Sequence, residues 1–385
     1  MCDQKEMNKE ELKKQIINSL RRQGFRVRGG QISLPVDPNK DKLRNLHAIA
    51  VQHKIEKSKK ELFNKESRLL KRFAMGAEVI PDKIVPRLIE VQPNTEDELL
   101  FRYASLHWSI PVSSGYGRRL RFIVTDEYNG KLIGLFGLGD PVFSLSARDR
   151  WVGWDMDVRR EKLQHVMDAF VLGAVPPYSS LICGKLIAML VASNEVRLAF
   201  KRKYRGHRTL IRRKILDGRL ALITTTSALG RSSIYNRLRN GNNLLYHSVG
   251  YTKGSGDFHF ANGLYDSIFK YMNRYYDPTA KQKNWGTGFR NRREVVRKCL
   301  SALGLSSDWI YHGVQREVFL VPLANNVKEF LKGENNNLEW FNCSAEALTE
   351  LFKERWLLPR AKRDESYLTF NPDTWRLWPL KENIK

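Results

Sequence analysis

Residues 119–138 read RLRFIVTDEYNGKLIGLFGL, and the pair Asn129-Gly130 decides how this stretch folds. A two-residue hairpin turn of the favoured hand needs left-handed backbone at its centre, which Asn-Gly adopts at little steric cost. The flanking residues are β-branched, aromatic or aliphatic, so the segment predicts a strand at Arg119–Thr125, a turn at Tyr128-Asn129-Gly130 and a returning strand at Lys131–Leu138.

Working outward, the same reading predicts a third strand at Leu163–Leu172, then a break at Pro176-Pro177 and an apolar helix at Leu181–Ala192. A strand at Arg219–Thr226, a short helix at Ser232–Arg239 and a strand at Leu244–Tyr251 follow. The order of elements is that of an α+β unit around a mixed sheet. Upstream, Asn8 with Glu11 forms a capping-box pattern before Leu12, Ile16 and Leu20, and the charged stretch from Asp41 to Phe73 reads as helix. Downstream of Ser267 the chain turns helical, reaches a β-leaning run at Arg316–Leu323, and ends in a tail holding Trp340, Trp356, Trp375 and Trp378. This divides the chain into a helical N-terminal arm (1–75), a central mixed α/β domain (97–265) and a C-terminal helical and β region (266–385).

Charge is the global signal. Lys plus Arg number 66 against 41 Asp plus Glu, a net +25, which points to a polyanionic partner. Because the basic residues recur along the chain instead of forming one amphipathic helix, nucleic acid, DNA above all, is expected rather than a membrane. The N-terminus is charged from its first residues and no run reaches the roughly 18 apolar residues of a membrane span, so a cytoplasmic location is expected. The 4 cysteines form no C-x-x-C pair, which supports neither a disulfide framework nor a zinc knuckle.

Two basic clusters are candidate phosphate contacts. The first holds Arg197, Lys201, Arg202, Lys203, Arg205, Arg208, Arg212, Arg213 and Lys214 with Tyr204 and His207 interleaved. The second holds Lys281, Lys283, Trp285, Arg290, Arg292 and Arg293, with Trp285 placed to stack on a base. A charge run on a helix is also what an ordinary solvated face looks like, so each cluster has that plainer reading beside the functional one.

Candidate chemistry is thinner. In RDRWVGWDMD (148–157), Asp149, Asp155 and Asp157 are weak candidates for a shared Mg²⁺ if the segment were a strand, since alternate side chains then face one way. The plainer reading, an Arg/Asp network bracing Trp151 and Trp154, is favoured. Asp168 and Asp257 are the only further acids of interest, and His247 with His259 is the one histidine pair that strands can bring together. Lys253, Gly254 and Gly256 lack the spacing of a phosphate-binding loop and read as a turn.

Three stretches resemble the Druantia anti-phage system A family, which includes proteins encoded in mobile elements. They are residues 118–155 with the run Arg148, Asp149, Arg150, Trp151, Val152, Gly153, Trp154; LGAVPPYSSLICGKL; and WIYHGVQREVFLVPLANNVKEFLKGE followed by NPDTWRLWP. The resemblance implies an antiviral-defence subunit acting beside a large helicase-like partner and other subunits. The middle region is also similar in element order to the acyl-CoA N-acyltransferase fold. That likeness implies a CoA pyrophosphate cradle at Ser179–Gly184, where only Gly184 fits the pattern, and a late Tyr at Tyr235, which also reads as core packing. No cofactor is expected; CoA or Mg²⁺ enters only if the chain is an enzyme of acyltransferase or nuclease type, and a third alternative is an adaptor that docks its partner through exposed C-terminal tryptophans.

Overall fold

A computed structural model of the chain describes residues 8–35, 39–113, 117–209, 214–276 and 289–379. Among these residues the fold is organised by a seven-stranded sheet built from β1 (Pro86–Glu90), β2 (Arg119–Asp126), β3 (Leu132–Gly139), β4 (Val166–Ala174), β5 (Leu222–Thr226), β6 (His247–Tyr251) and β7 (Glu317–Pro322). Their order across the sheet is β6-β7-β5-β4-β3-β2-β1. The β2–β3 hairpin lies within a residue of its sequence prediction, with Gly130 at φ +71° in the turn. β4 and β5 are the one parallel pair of this sheet among the described residues, registered only at Val166–Asp168 against Leu222–Thr224. Beyond that point β4 runs on to Ala174 without β5, and a bulge at Phe170 lets Phe170 lie over Gly137 and Gly139, where a Cβ on Gly137 would fall 2.5 Å from the ring.

In chain order the helices that matter are α1 (Lys9–Arg22), α2 (Lys40–Leu62), α3 (Glu96–Ser105), α4 (Ser146–Val152), α5 (Met156–Lys162), α6 (Gly184–Val191), α7 (Asn194–Tyr204), α8 (Leu264–Tyr275), α9 (Phe289–Ala302), α10 (Val327–Lys332) and α11 (Ala345–Phe352). The expected capping box is present: the Glu11 amide donates to Asn8 Oδ1 at 2.9 Å and the Asn8 amide to Glu11 Oε2 at 3.1 Å. On one face of the sheet, Leu120, Phe122, Val124, Met167, Ile223 and Phe319 are buried against α6, α7 and α11. The other face carries two smaller clusters, one against α3 with Ile123, Leu135 and Val171, the other joining Val166, Leu222 and Leu320 to Val152 of α4 and Phe330 of α10. This alternation is the period-2 pattern of a sheet buried on both sides. A separate core binds α1 to α8, α9 and Trp309, so the N-terminal residues pack on the C-terminal region.

Three expectations are corrected. Ser232–Arg239 is not a helix: it turns at Ile234–Arg237 and Arg239 pairs as a strand with Leu244, while the Lys185 ammonium takes the carbonyls of Ser233, Ile234 and Asn236, which a helix would need as acceptors. The helical reading of Asp41–Phe73 breaks after Leu62 into a 3₁₀ turn and a short helix at Glu66–Leu70. The expected β-leaning run at Arg316–Leu323 is present as β7, which lies between β5 and β6. The C-terminal tryptophans are not exposed: Trp378 is buried, Trp375 stacks on His107 at 3.7 Å, and Trp340 lies under Arg197 at 4.3 Å. No described helix is long and apolar enough to cross a membrane.

Candidate functional site

The segment 148–157 forms two helices instead of a strand. Gly153, at φ +78°, ends α4, and Asp155 caps α5 by accepting from the amides of Asp157 and Val158 at 2.8 Å each. Asp149 is saturated. Its Oδ1 accepts from Arg148 Nε and Nη2 at 2.9 and 2.7 Å and from Trp154 Nε1 at 3.1 Å, while Oδ2 accepts from the Leu145 amide and Arg159 Nη1 at 2.9 Å. Arg148 has no exposed side-chain surface and also donates to the carbonyls of Val142 and Phe143. Asp157 points to solvent and pairs with Arg160. The three acids therefore brace and cap the segment, and among the described residues no cluster of three or more acid, His or Cys ligands could hold a metal.

A different acid stands out. Asp168 lies on β4 at the last register pair of the parallel junction, accepting from Thr224 Oγ1 at 2.6 Å. It shares a face with Val166 and Leu222, and so with α4 and Arg148. Its other oxygen receives no hydrogen bond from a described residue. Burial pushes the carboxyl up to about 6, against the pull of the Thr224 hydroxyl and the Arg148 charge. Asp257, also raised by burial, is instead held by Arg292 at 3.1 Å. The sequence marks Asp168 only as a stray acid; its place at the end of a parallel pairing depends on β5, which is more than fifty residues away.

The turn before α6 is closed on itself. The amides of Ser179, Ser180, Leu181, Ile182 and Cys183 donate to the carbonyls of Val175, Pro177, Tyr178, Ser179 and Tyr178, at 2.9 to 3.1 Å. Those groups are the ones a phosphate at this helix start would need. Tyr235 is core: it stacks on Tyr246 at 4.8 Å and packs on Phe319 at 4.6 Å, and burial pushes its hydroxyl up to about 12. Gly254 and Gly256 likewise sit in turns, the Gly254 carbonyl accepting from Gly313 and the Gly256 amide donating to Ile310. His247 and His259 do not meet: His247 faces Trp151, whereas His259 is buried beside His312 and Phe258.

The basic clusters divide into bound and unbound cations. On α7, Arg202 and Lys203 both hold Glu90 of β1, at 2.6 and 3.1 Å. Arg197 lies on Trp340, and Lys214 pairs with Glu161. Lys201, Arg205 and Arg208 are exposed and have no carboxylate partner among the described residues. Arg212 and Arg213 lie outside the described residues. In the second cluster, Lys281, Lys283 and Trp285 also lie outside them, and Arg290 contributes only its place in α9. Arg292 pairs with Asp257 and covers Tyr265 at 4.3 Å, and Arg293 lies over the exposed Tyr311 at 5.8 Å.

A family model described as Druantia protein DruA matches residues 37–333. The chain is also similar to a curated relative, Druantia protein DruA of Escherichia coli (strain UMEA 4076-1), at 40% identity over 375 residues, 96% of this chain and 90% of that protein. No solved structure matches.

Proposed function

The chain belongs to the Druantia protein DruA family and is thereby a component of an anti-phage defence system; from that premise we propose that it is the nucleic-acid-binding subunit, DNA being the favoured target, and works with a helicase-like partner. The observation that carries the reading is the end of α7 and the chain just after it. There Lys201, Arg205 and Arg208 present cations that no acid among the described residues neutralises, in a chain of net +25. Cations left free in this way attract phosphate and release counterions on binding. The test is binding to matched single-stranded DNA, double-stranded DNA and RNA across a salt series, for the intact protein and for Lys201→Ala/Arg205→Ala/Arg208→Ala. A steep slope that flattens in the variant supports the reading, and negligible binding by both at low salt ends it. Arg202 and Lys203 are left intact because they hold Glu90.

Asp168 favours a second reading, an enzyme. A carboxyl that burial pushes up to about 6, with one oxygen oriented by Thr224, is suited to proton transfer. Asp168→Asn keeps an acceptor for Thr224 and removes the proton chemistry. Loss of phage protection with unchanged melting and unchanged nucleic-acid binding supports this reading, and full protection removes it. With the amides of the 179–183 turn bonded internally and Asp149 saturated, neither CoA pyrophosphate nor Mg²⁺ is assigned a place in it.

A further inference from the structure

The run Arg148–Trp154 divides by direction. Arg148, Asp149 and Trp154 face inward and hold the segment together, while Arg150 is exposed and Trp151 is half-exposed. These two outward residues line a groove with Ala147 of α4 and with His247, Ser248 and Val249 of β6. β6 is the edge of the sheet: β7 pairs with one side of it, and no strand among the described residues pairs with the other. An unpaired edge offers backbone donors and acceptors to an added strand. The groove is also cationic. Lys328 of α10 lies 4.4 Å over the Trp151 ring, burial and the nearby Lys328 charge lower the His247 pKa, and the carboxylate bonded to the lining, Glu317, is buried and already accepts from the Ser248 hydroxyl at 2.8 Å and the Ser232 amide at 3.3 Å.

The geometry points to this groove as a docking site for an extended, acidic segment of another subunit of the same defence system, which adds to β6 as an outer strand, sets an apolar side chain against Trp151 and Val249, and offers carboxylates to Arg150 and Lys328. An extended peptide fits better than nucleic acid because the unpaired β6 edge recognises amides, which a phosphodiester backbone lacks. The site involves none of Lys201, Arg205 and Arg208, and stands whether or not nucleic acid binds there.

The experiment co-expresses the intact protein with the other subunits of its system and compares it with Arg150→Glu/Lys328→Glu and with Trp151→Ala. Melting temperature controls for folding, DNA binding controls for the α7 surface, and amide hydrogen exchange is read at 247–251. The expected result is a complex with one identified subunit, slowed exchange at 248–250 within it, and affinity weakened by about 10-fold or more in the charge-reversal variant. If the charge-reversal variant melts early, Trp151→Ala and the exchange pattern of the intact protein carry the decision. No complex with any subunit overturns the proposal, as does a complex in which 247–251 exchange as in the free protein. Loss of DNA binding with the complex intact assigns the groove to nucleic acid and overturns it as well.

Discussion

The segments 148–160 and 197–208 are both rich in arginine, and the fold uses them in opposite ways. In RDRWVGWDMDVRR three aspartates alternate with the basic residues, and Arg148 and Arg159 close onto Asp149. In RLAFKRKYRGHR there is no acid, and the one carboxylate among the described residues that reaches Arg202 and Lys203 is Glu90, supplied by the edge strand β1. Local neutralisation makes the first segment a brace; the lack of it leaves Lys201, Arg205 and Arg208 of the second without a carboxylate partner among the described residues. Positive charge alone therefore says little about partners until the acids within reach have been assigned.

Breaking the brace has the largest expected effect. Arg148→Ala leaves the Asp149 carboxylate short of two hydrogen bonds and the Val142 and Phe143 carbonyls unpaired, and should cost about 3–5 kcal/mol of unfolding free energy, measured in urea. A loss under about 1 kcal/mol would show that the loop holds without its arginine.

A third setting sharpens the contrast. Arg316 approaches His47 at 3.4 Å in a region shared with His259 and His312, and its guanidinium pairs with no acid among the described residues. Burial lowers all three imidazoles, with neighbouring positive charge adding to it at His47 and His312, to about 3, 4 and 2 for His47, His259 and His312 respectively. Their folded values lie below the unfolded one, so the unfolded chain binds protons that the folded chain refuses. Stability is then full above about pH 6.5 and falls below it, by about 1.4 kcal/mol per pH unit for each group down to about pH 4. Urea midpoints at pH 7 and pH 5 check this, and equal midpoints would refute it.

The remaining two predictions act on binding. Lys201→Ala/Arg205→Ala/Arg208→Ala should change stability by about 0.5 kcal/mol or less per site, while reducing the slope of log affinity against log salt by about 0.9 for each phosphate no longer neutralised. The smallest effect is the converse. Glu90→Gln frees Arg202 and Lys203 and should raise DNA affinity at low salt by about 2- to 10-fold; unchanged affinity would place these two cations away from the bound strand.

The parts of the fold that were legible are local. Gly130 supplies the one left-handed residue of the β2–β3 turn, which holds four residues between Asp126 and Lys131 instead of two, and Asn8 with Glu11 caps the start of α1, because each works within a few residues. The turns at 232–238 were not legible, since the ammonium that takes their carbonyls belongs to Lys185, about fifty residues away. The insertion of β7 between β5 and β6 depends on pairing across more than sixty residues, for which strand patterning carries no signal. The site divides the same way. The density of basic residues on α7 could be read directly, whereas the loss of two of them to Glu90 could not. Asp168 gained meaning only when β5 came beside it.

The short parallel register has a mechanical consequence. Three residue pairs join the half-sheet β1–β4 to the half-sheet β5–β7, where the antiparallel ladder between β2 and β3 runs nearly the full length of both strands. Tension across the strands therefore loads few backbone pairs here, and the side-chain bonds from Thr224 to Asp168 and from Thr225 to the Ala169 carbonyl are what extend the grip beyond them.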